Sequence, residues 1–313
     1  MVIPAASFIE IKANGISLAT PCSAVILNAA LRLREEHGVN SPRRHAPDGY
    51  TPSWRTAAPP GLSGLSPEQS VRWAELHAQV QVWLAQLDHP PRLVEPCADL
   101  LSEPARMRIE RYRTPELRSR HTVAAAALID LIRLYTGTPA EQINLTKSEL
   151  GKPTLTPGIQ TSRLQFSMAH SRDLAAYAFT ADRPVGVDIE EIAAAPTADL
   201  LRHCLSEHER EWFSVVPPAR RCEVFYQLWT IKEAYLKAIG TGLSISPTLV
   251  EIELSPEGGY RFYRPPANTG PLKTWAIFPF SPQPDHAGAV VVQAGPETVE
   301  YFRWHPQRVK DPV

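Results

Sequence analysis

An Asp and a Glu two residues apart in a short apolar run, Gly186-Val187-Asp188-Ile189-Glu190, constrain this 313-residue chain more than any other feature. A strand puts residues i and i+2 on one face, about 6.6 Å apart at roughly 3.3 Å per residue. Asp188 and Glu190 then share a face, and Val187 and Ile189 take the opposite one, which suits burial. Two like charges side by side repel, so the acidic face calls for a cation. Thirty-nine residues beyond Glu190 begins Trp229-Thr230-Ile231-Lys232-Glu233-Ala234-Tyr235-Leu236-Lys237. From Arg220 to Ile239, the apolar Val224, Phe225, Leu228, Ile231, Tyr235 and Ile239 recur at spacings of three and four, which predicts a helix. Gly240 and Gly242 stop it. Glu233 and Lys237 lie on one face, with Trp229 one turn earlier on the same face. Taken singly, the two segments are a solvated acidic strand and a surface ion pair worth a few tenths of a kcal/mol. The apolar setting of the strand after Pro184 and the indole beside Glu233 argue instead for a covered site. Strand and helix meeting in space would gather three carboxylates, the hard oxygen ligands that Mg²⁺ takes alongside substrate phosphates.

The rest of the chain divides around this pair. Residues 1–75 carry Pro42, Pro47, Pro52, Pro59, Pro60 and Pro67, a composition that disfavours helix and sheet interiors. The segment is expected to be a partly disordered extension, with one short helix from Ala24 to Glu36. Beyond it the pattern repeats. A strand at Val80–Leu87, a helix opening at Leu101-Ser102-Glu103 and a long helix from Pro115 to Tyr135 are followed by a strand at Val185–Glu190, a helix opening at Leu205-Ser206-Glu207 and the long helix just described. Ser206 and Glu209 have capping-box spacing, which assigns Glu209 to the helix start and not to catalysis. Further strands are expected at 166–168, 175–180, 250–254, 260–263, 274–278 and 289–293. The boundary between halves falls near Arg183-Pro184, giving units at 76–184 and 185–313.

Composition removes several classes. With 32 Lys and Arg against 33 Asp and Glu, the net charge of −1 offers nothing for bulk nucleic-acid binding. No apolar run reaches the roughly 20 residues of a membrane span, and no basic-then-apolar leader is evident. Cys22, Cys97, Cys204 and Cys222 have neither C-x-x-C nor zinc spacing, so free thiols in a reducing cytoplasm are expected.

The paired segments resemble the signature of the Sfp-type 4′-phosphopantetheinyl transferases: G-[IV]-D-[IV]-E, about forty residues, then W-[ST]-x-K-E-[AS]-x-x-K. The matching residues are Gly186, Val187, Asp188, Ile189, Glu190, Trp229, Thr230, Lys232, Glu233, Ala234 and Lys237. Gly151-Lys152-Pro153, Phe166-Ser167-Met168-Ala169-His170-Ser171 and Gly240-Thr241-Gly242-Leu243-Ser244 are similar to further family segments. The resemblance runs from about Val80 to Trp304 and leaves the first 75 residues out. It implies an α+β fold of two similar α/β halves related by pseudo-twofold symmetry, behind a Pro-rich N-terminal extension. It also implies an enzyme that moves the phosphopantetheine arm of coenzyme A onto a serine of an apo acyl or peptidyl carrier protein.

By the same resemblance, Asp188, Glu190 and Glu233 hold Mg²⁺, with Mn²⁺ as the other oxygen-loving candidate. Glu233 is ligand, base or both, and Lys237 steadies phosphoryl oxygens. Lys152, His170, Arg120 and, less closely aligned, Arg108 contact CoA phosphates. The cleft lies between the halves, and the larger Sfp-like group is commonly monomeric. Two positions depart from the pattern: Ala169 stands where a serine often precedes the histidine, and Ala105 where some members carry a lysine, with Arg106 beside it. Read without the resemblance, His170 is an ordinary structural histidine and Arg113, Arg118 and Arg120 are a solvated helix face. Two other functions use the same residues. One is a non-catalytic module that binds CoA or a carrier protein, which the two alanines favour. The other is a different Mg²⁺-dependent enzyme that cleaves pyrophosphate without a carrier.

Overall fold

The computed structural model describes residues 75–310 apart from 149, 157–162, 256–258, 265–274 and 294–297. The Pro-rich extension and its expected helix at 24–36 lie outside the described residues. The first half comprises β1 (Gln79–Gln86), α1 (Pro91–Asp99), α2 (Glu103–Ile109), α3 (Pro115–Thr136), β2 (Leu145–Lys147), β3 (Pro153–Leu155), β4 (Leu164–Ser171) and β5 (Leu174–Ala181). The second comprises β6 (Val185–Glu191), α4 (Ala198–Cys204), α5 (Glu207–Ser214), α6 (Arg221–Ala238), β7 (Glu251–Ser255), β8 (Gly259–Arg264), β9 (Trp275–Phe280) and β10 (His286–Gln293). The fold is α+β, and the order of elements repeats: a strand, three helices, a short hairpin and two more strands. Strand order repeats as well, as β1-β5-β4 in one sheet and β6-β10-β9 in the other, antiparallel throughout.

The last strand breaks the correspondence between chain order and half. β11 (Thr298–Trp304) pairs in parallel with β1 and so completes the first sheet, although the expected boundary puts its residues in the second unit. Its side chains account for this. Phe302 stacks on Trp83 at 4.8 Å, and Trp304 Nε1 donates to Asp130 Oδ2 on α3 at 2.8 Å. Arg308, in the short α7 (Gln307–Lys310), donates to the same oxygen at 3.1 Å.

The two sheets lie back to back between the long helices. Trp83, Tyr177 and Phe179 pack outward onto Val123, Ala127 and Leu131 of α3. Val82, Leu84 and Ala178 meet Val187, Ile189 and Val290 between the sheets. Ala289 and Val291 pack outward onto Leu228, Ile231 and Tyr235 of α6. The alternation expected of β6 is therefore present, with Val187 and Ile189 in the inter-sheet core. α3 begins where Thr114 Oγ1 accepts from Leu117 N at 3.2 Å, with Pro115 at its first position, and stops at Gly137 in the left-handed region at φ 66°.

Two devices hold α6 in place. A Cβ on Gly186 would sit 1.8 Å from Ala234 O, so the helix rides directly on the strand backbone and only glycine fits there. Lys232, 0% exposed, donates to Cys204 O at 2.9 Å, Pro247 O at 3.0 Å and Glu209 Oε2 at 2.5 Å. Glu209 makes the expected capping box with Ser206 and also accepts from Ile252 N at 2.8 Å. The motif lysine is thus an internal tie between α4, α5, α6 and β7.

Candidate active site

β6 and α6 run antiparallel along each other. From Glu190 to Gly186 the strand travels about 13 Å, and from Trp229 to Ala238 the helix rises about 13 Å. Equal lengths bring Trp229 level with Glu190 and Ala238 level with Gly186, and the long Lys237 side chain reaches back along the strand to Asp188. Trp229 Nε1 donates to Glu190 Oε1 at 3.4 Å, and Lys237 Nζ donates to Asp188 Oδ1 at 2.7 Å and Val187 O at 3.3 Å. Glu233, between them on the helix and 4% exposed, lies close enough to act electrostatically on both Glu190 and Lys237. The expected Glu233–Lys237 pair is therefore part of a covered row in which the lysine bonds Asp188.

Burial sets the electrostatics. It pushes the Glu190 carboxyl up to about 8, helped by Asp188 and Glu233 and opposed by Lys237 and the Trp229 N–H. Burial also raises Asp188, against the pull of Lys237 and the Ile189 N–H. Burial alone would lower Lys237, but Asp188, Glu233 and Glu190 outweigh it and hold the ammonium above its ordinary value. Asp188 Oδ2 is buried and accepts no hydrogen bond among the described residues. Among those residues, no three His, Cys, Asp or Glu side chains are already gathered as a metal cage. The Lys237 ammonium supplies the counter-charge to Asp188 instead.

The first half contributes the opposite wall. His170, on β4, is near enough to Lys237 to feel its charge; burial first, and then that charge, push it down to about 4. Its Nε2 is buried without a hydrogen-bond partner among the described residues. Its ring meets His121 edge-on at 5.9 Å, and His121 stacks on Tyr112 at 3.9 Å. Burial, with His170 beside it, pushes His121 down to about 3, so both imidazoles are neutral at pH 7. Arg108 is near Lys147 and Tyr112. Burial and that guanidinium lower Lys147 to about 8, and its Nζ has no hydrogen-bond partner among the described residues. Tyr112, His121 and Lys147 were not singled out in the sequence. Lys147 had a usable signal, as a cation on the strand just before Gly151-Lys152-Pro153.

Other expected contacts have different neighbours. Arg120 is held by Asp88, its Nε and Nη2 at 2.6 and 2.7 Å from the two carboxylate oxygens. Lys152 Nζ donates to Val185 O at 3.0 Å and Ala238 O at 3.2 Å. The side chain of Ala169 lies in the inter-sheet core, so that departure from the pattern falls on packing. Its neighbours Ser167 and Ser171 accept from the N–H groups of Val187 at 3.1 Å and Glu191 at 2.9 Å, and Ser171 Oγ also donates to Glu190 Oε2 at 3.4 Å. The hydroxyls of β4 thus hold the edge of β6 that faces away from β10. Cys97 and Cys204 are buried and Cys222 is half-buried, and none of the three is in a disulfide among the described residues.

Comparison with known proteins gives one consistent picture. The model of the 4′-phosphopantetheinyl transferase superfamily matches residues 184–291. The 4′-phosphopantetheinyl transferase HetI of Nostoc sp. is 30% identical over 252 residues, covering 80% of this chain and 94% of that protein. The 4′-phosphopantetheinyl transferase psf-1 of Bacillus pumilus is 31% identical over 190 residues, covering 59% of this chain and 78% of that protein. A crystal structure of a holo-(acyl-carrier-protein) synthase from Bacillus anthracis, in complex with CoA (3′,5′-ADP), is 24% identical and covers 35% of this chain and 94% of its own, at a TM-score of 0.31. Among the described residues no helix is long and apolar enough to cross a membrane.

Proposed function

The chain belongs to the 4′-phosphopantetheinyl transferase superfamily, in its Sfp-type group, and from that premise we propose how its residues carry out the transfer. The enzyme moves the 4′-phosphopantetheine arm of CoA to a serine of an apo acyl or peptidyl carrier protein and releases 3′,5′-ADP. The observation that carries the mechanism is the row Asp188, Glu190, Glu233 and Lys237, in which Asp188 and Glu233 are buried and Glu190 and Lys237 half-buried, with His170 facing it from the other half.

Asp188, Glu190 and Glu233 would hold Mg²⁺, with Mn²⁺ second. The fit rests on an all-oxygen donor set, a buried Asp188 Oδ2 lacking a hydrogen-bond partner among the described residues, and a Glu190 carboxyl that burial and the neighbouring Asp188 and Glu233 push up. A cation held there would supply Lewis-acid neutralisation of the charge that develops on the CoA pyrophosphate as it is cleaved and 3′,5′-ADP leaves. Glu233 takes the proton of the attacking serine, directly or through a water. Lys237 donates to the phosphoryl oxygens as a point charge. His170, neutral at pH 7, donates a hydrogen bond to a CoA phosphate without a charge to desolvate. Arg108 draws the anion from the rim, and Arg120 joins it on release from Asp88. Both walls of the cleft come from one chain, which supports a monomer, and free thiols with cytoplasmic substrates support a cytoplasmic enzyme.

Metal binding is expected to release protons. Glu190, raised to about 8, stays protonated below that pH in the metal-free fold. Unfolded, it would ionise near the ordinary Glu value, so its proton stabilises the metal-free fold fully below that ordinary value, and this is lost as pH rises through about 8. Mg²⁺ displaces the proton. Calorimetry at pH 7 in buffers of different ionisation enthalpy should show release approaching one proton from this group, and the Mg²⁺-induced rise in Tm should grow from pH 6.5 to pH 8.5. No proton release at pH 7 would remove Glu190 from the metal set.

The activity itself is tested by incubating the protein with CoA, Mg²⁺ and a panel of apo acyl and peptidyl carrier proteins, then reading intact masses. A phosphopantetheine mass gain that EDTA abolishes is expected. CoA binding by calorimetry with no gain on any carrier would transfer the reading to a binding module.

A further inference from the structure

Three groups of the first half grip β6 along its edge: Ser167, Ser171 and Lys152. Lys152 differs from the serines because it also reaches α6. Its Nζ lies between Val185 O, at the first residue of the strand, and Ala238 O, at the last residue of the helix. Ala238 O is one of the terminal carbonyls that a helix cannot satisfy internally, and it sits at the negative end of the helix dipole. No carboxylate bonds this ammonium among the described residues, and burial pushes it down to about 8.

We propose that Lys152 is a positioning residue for the transfer reaction, one that fixes the separation between β6 and α6 and so the distance between Asp188 and Glu190 on one side and Glu233 and Lys237 on the other. Asp188 lies three residues from Val185, and Lys237 immediately precedes Ala238. A change at the Lys152 tether is therefore passed to the Lys237–Asp188 contact with little chain in between to absorb it. Gly240 follows the helix in the left-handed region at φ 77°, and a Cβ there would lie 3.7 Å from Lys152 Cδ. The turn after α6 thus packs on the lysine stem. The arrangement gives the first half a way to hold the second half's reacting groups.

The inference rests on the transferase reading, and the experiment separates the two. Wild type, Lys152→Met and Lys152→Gln are assayed together for transfer of phosphopantetheine to an apo peptidyl carrier protein that the wild type modifies, with CoA and Mg²⁺ varied in turn. For Lys152→Met, kcat should fall about 10- to 100-fold, as for a roughly 1 Å misplacement of reacting groups. Its half-saturating Mg²⁺ should rise, while KM for CoA changes less than about threefold. Lys152→Gln, which keeps an N–H donor for one carbonyl, should recover part of kcat. A rise in KM for CoA with kcat retained would make Lys152 a phosphate contact and overturn the proposal. A lower Tm with kcat, KM and Mg²⁺ dependence unchanged would make it merely structural and overturn it equally. If Lys152→Met does not fold, the same two comparisons are made on Lys152→Gln. A wild type inactive on every carrier would instead fail the transferase reading.

Discussion

Glu233→Gln is expected to fold and to transfer phosphopantetheine about 10²–10⁴-fold more slowly than wild type, the range general acid–base catalysis supplies. The substitution preserves shape and removes a charge from the middle of the row between Trp229 and Lys237. Stability should change little, because the substitution removes both the repulsion from Glu190 and the attraction to Lys237. Comparing this variant with Asp188→Asn separates Glu233's two candidate roles. If Glu233 is chiefly a ligand, both variants lose Mg²⁺ affinity together and high metal restores part of the rate. If it is chiefly the base, Glu233→Gln keeps its Mg²⁺ dependence and loses kcat alone. Mass spectrometry of the carrier across a Mg²⁺ titration reads both. Near-normal turnover would remove Glu233 from the mechanism.

Lys232→Met is the largest expected loss of stability. It leaves Glu209 with no cation in a pocket where both side chains are 0% exposed. Breaking a buried ion pair from one side costs about 3–5 kcal/mol, which for a chain of this size lowers Tm by about 6–20 °C. The three acceptors of Lys232 lie on three segments, so its removal also takes a donor from Cys204 O and from Pro247 O. Glu209→Leu alone should be similarly damaging, since its carboxylate also holds Ser206 N and Ile252 N. The double variant should lose less than the sum of the singles, as coupled partners do. Thermal denaturation of the four proteins completes the cycle. A Tm shift below about 2 °C for Lys232→Met would mean the pair contributes little, and a collapse of kcat with Tm intact would put Lys232 in the chemistry.

Much of this was legible locally. Period-two alternation placed β6 and aimed Asp188 and Glu190 to one side. Spacings of three and four placed α6 and put Trp229, Glu233 and Lys237 in one stripe. Ser206 and Glu209 announced a capping box that forms with both bonds present. Each signal is carried by residues within a turn or two of one another, where backbone geometry alone decides which side chains are neighbours.

What was not legible depends on contacts between distant segments. No strand is expected at β11 from its sequence, and its place beside β1 was decided by Trp83, Asp130 and the fit of Phe302 and Trp304. A lysine pattern cannot say which acceptor an ammonium meets. Lys237 was paired with Glu233 along its own helix but bonds Asp188 across to the strand. Lys152 sits between two carbonyls from two different elements, a placement no local pattern shows. Long flexible cations reach several angstroms in any direction, and burial, which has no sequence period, selects the partner. The sequence by itself determined β6, α6 and α3, the acidic residues that β6 and α6 present, and the family. Tertiary packing decided which half completes which sheet, which lysines are structural, and how far carboxyls shut away from water shift from their ordinary ionisation.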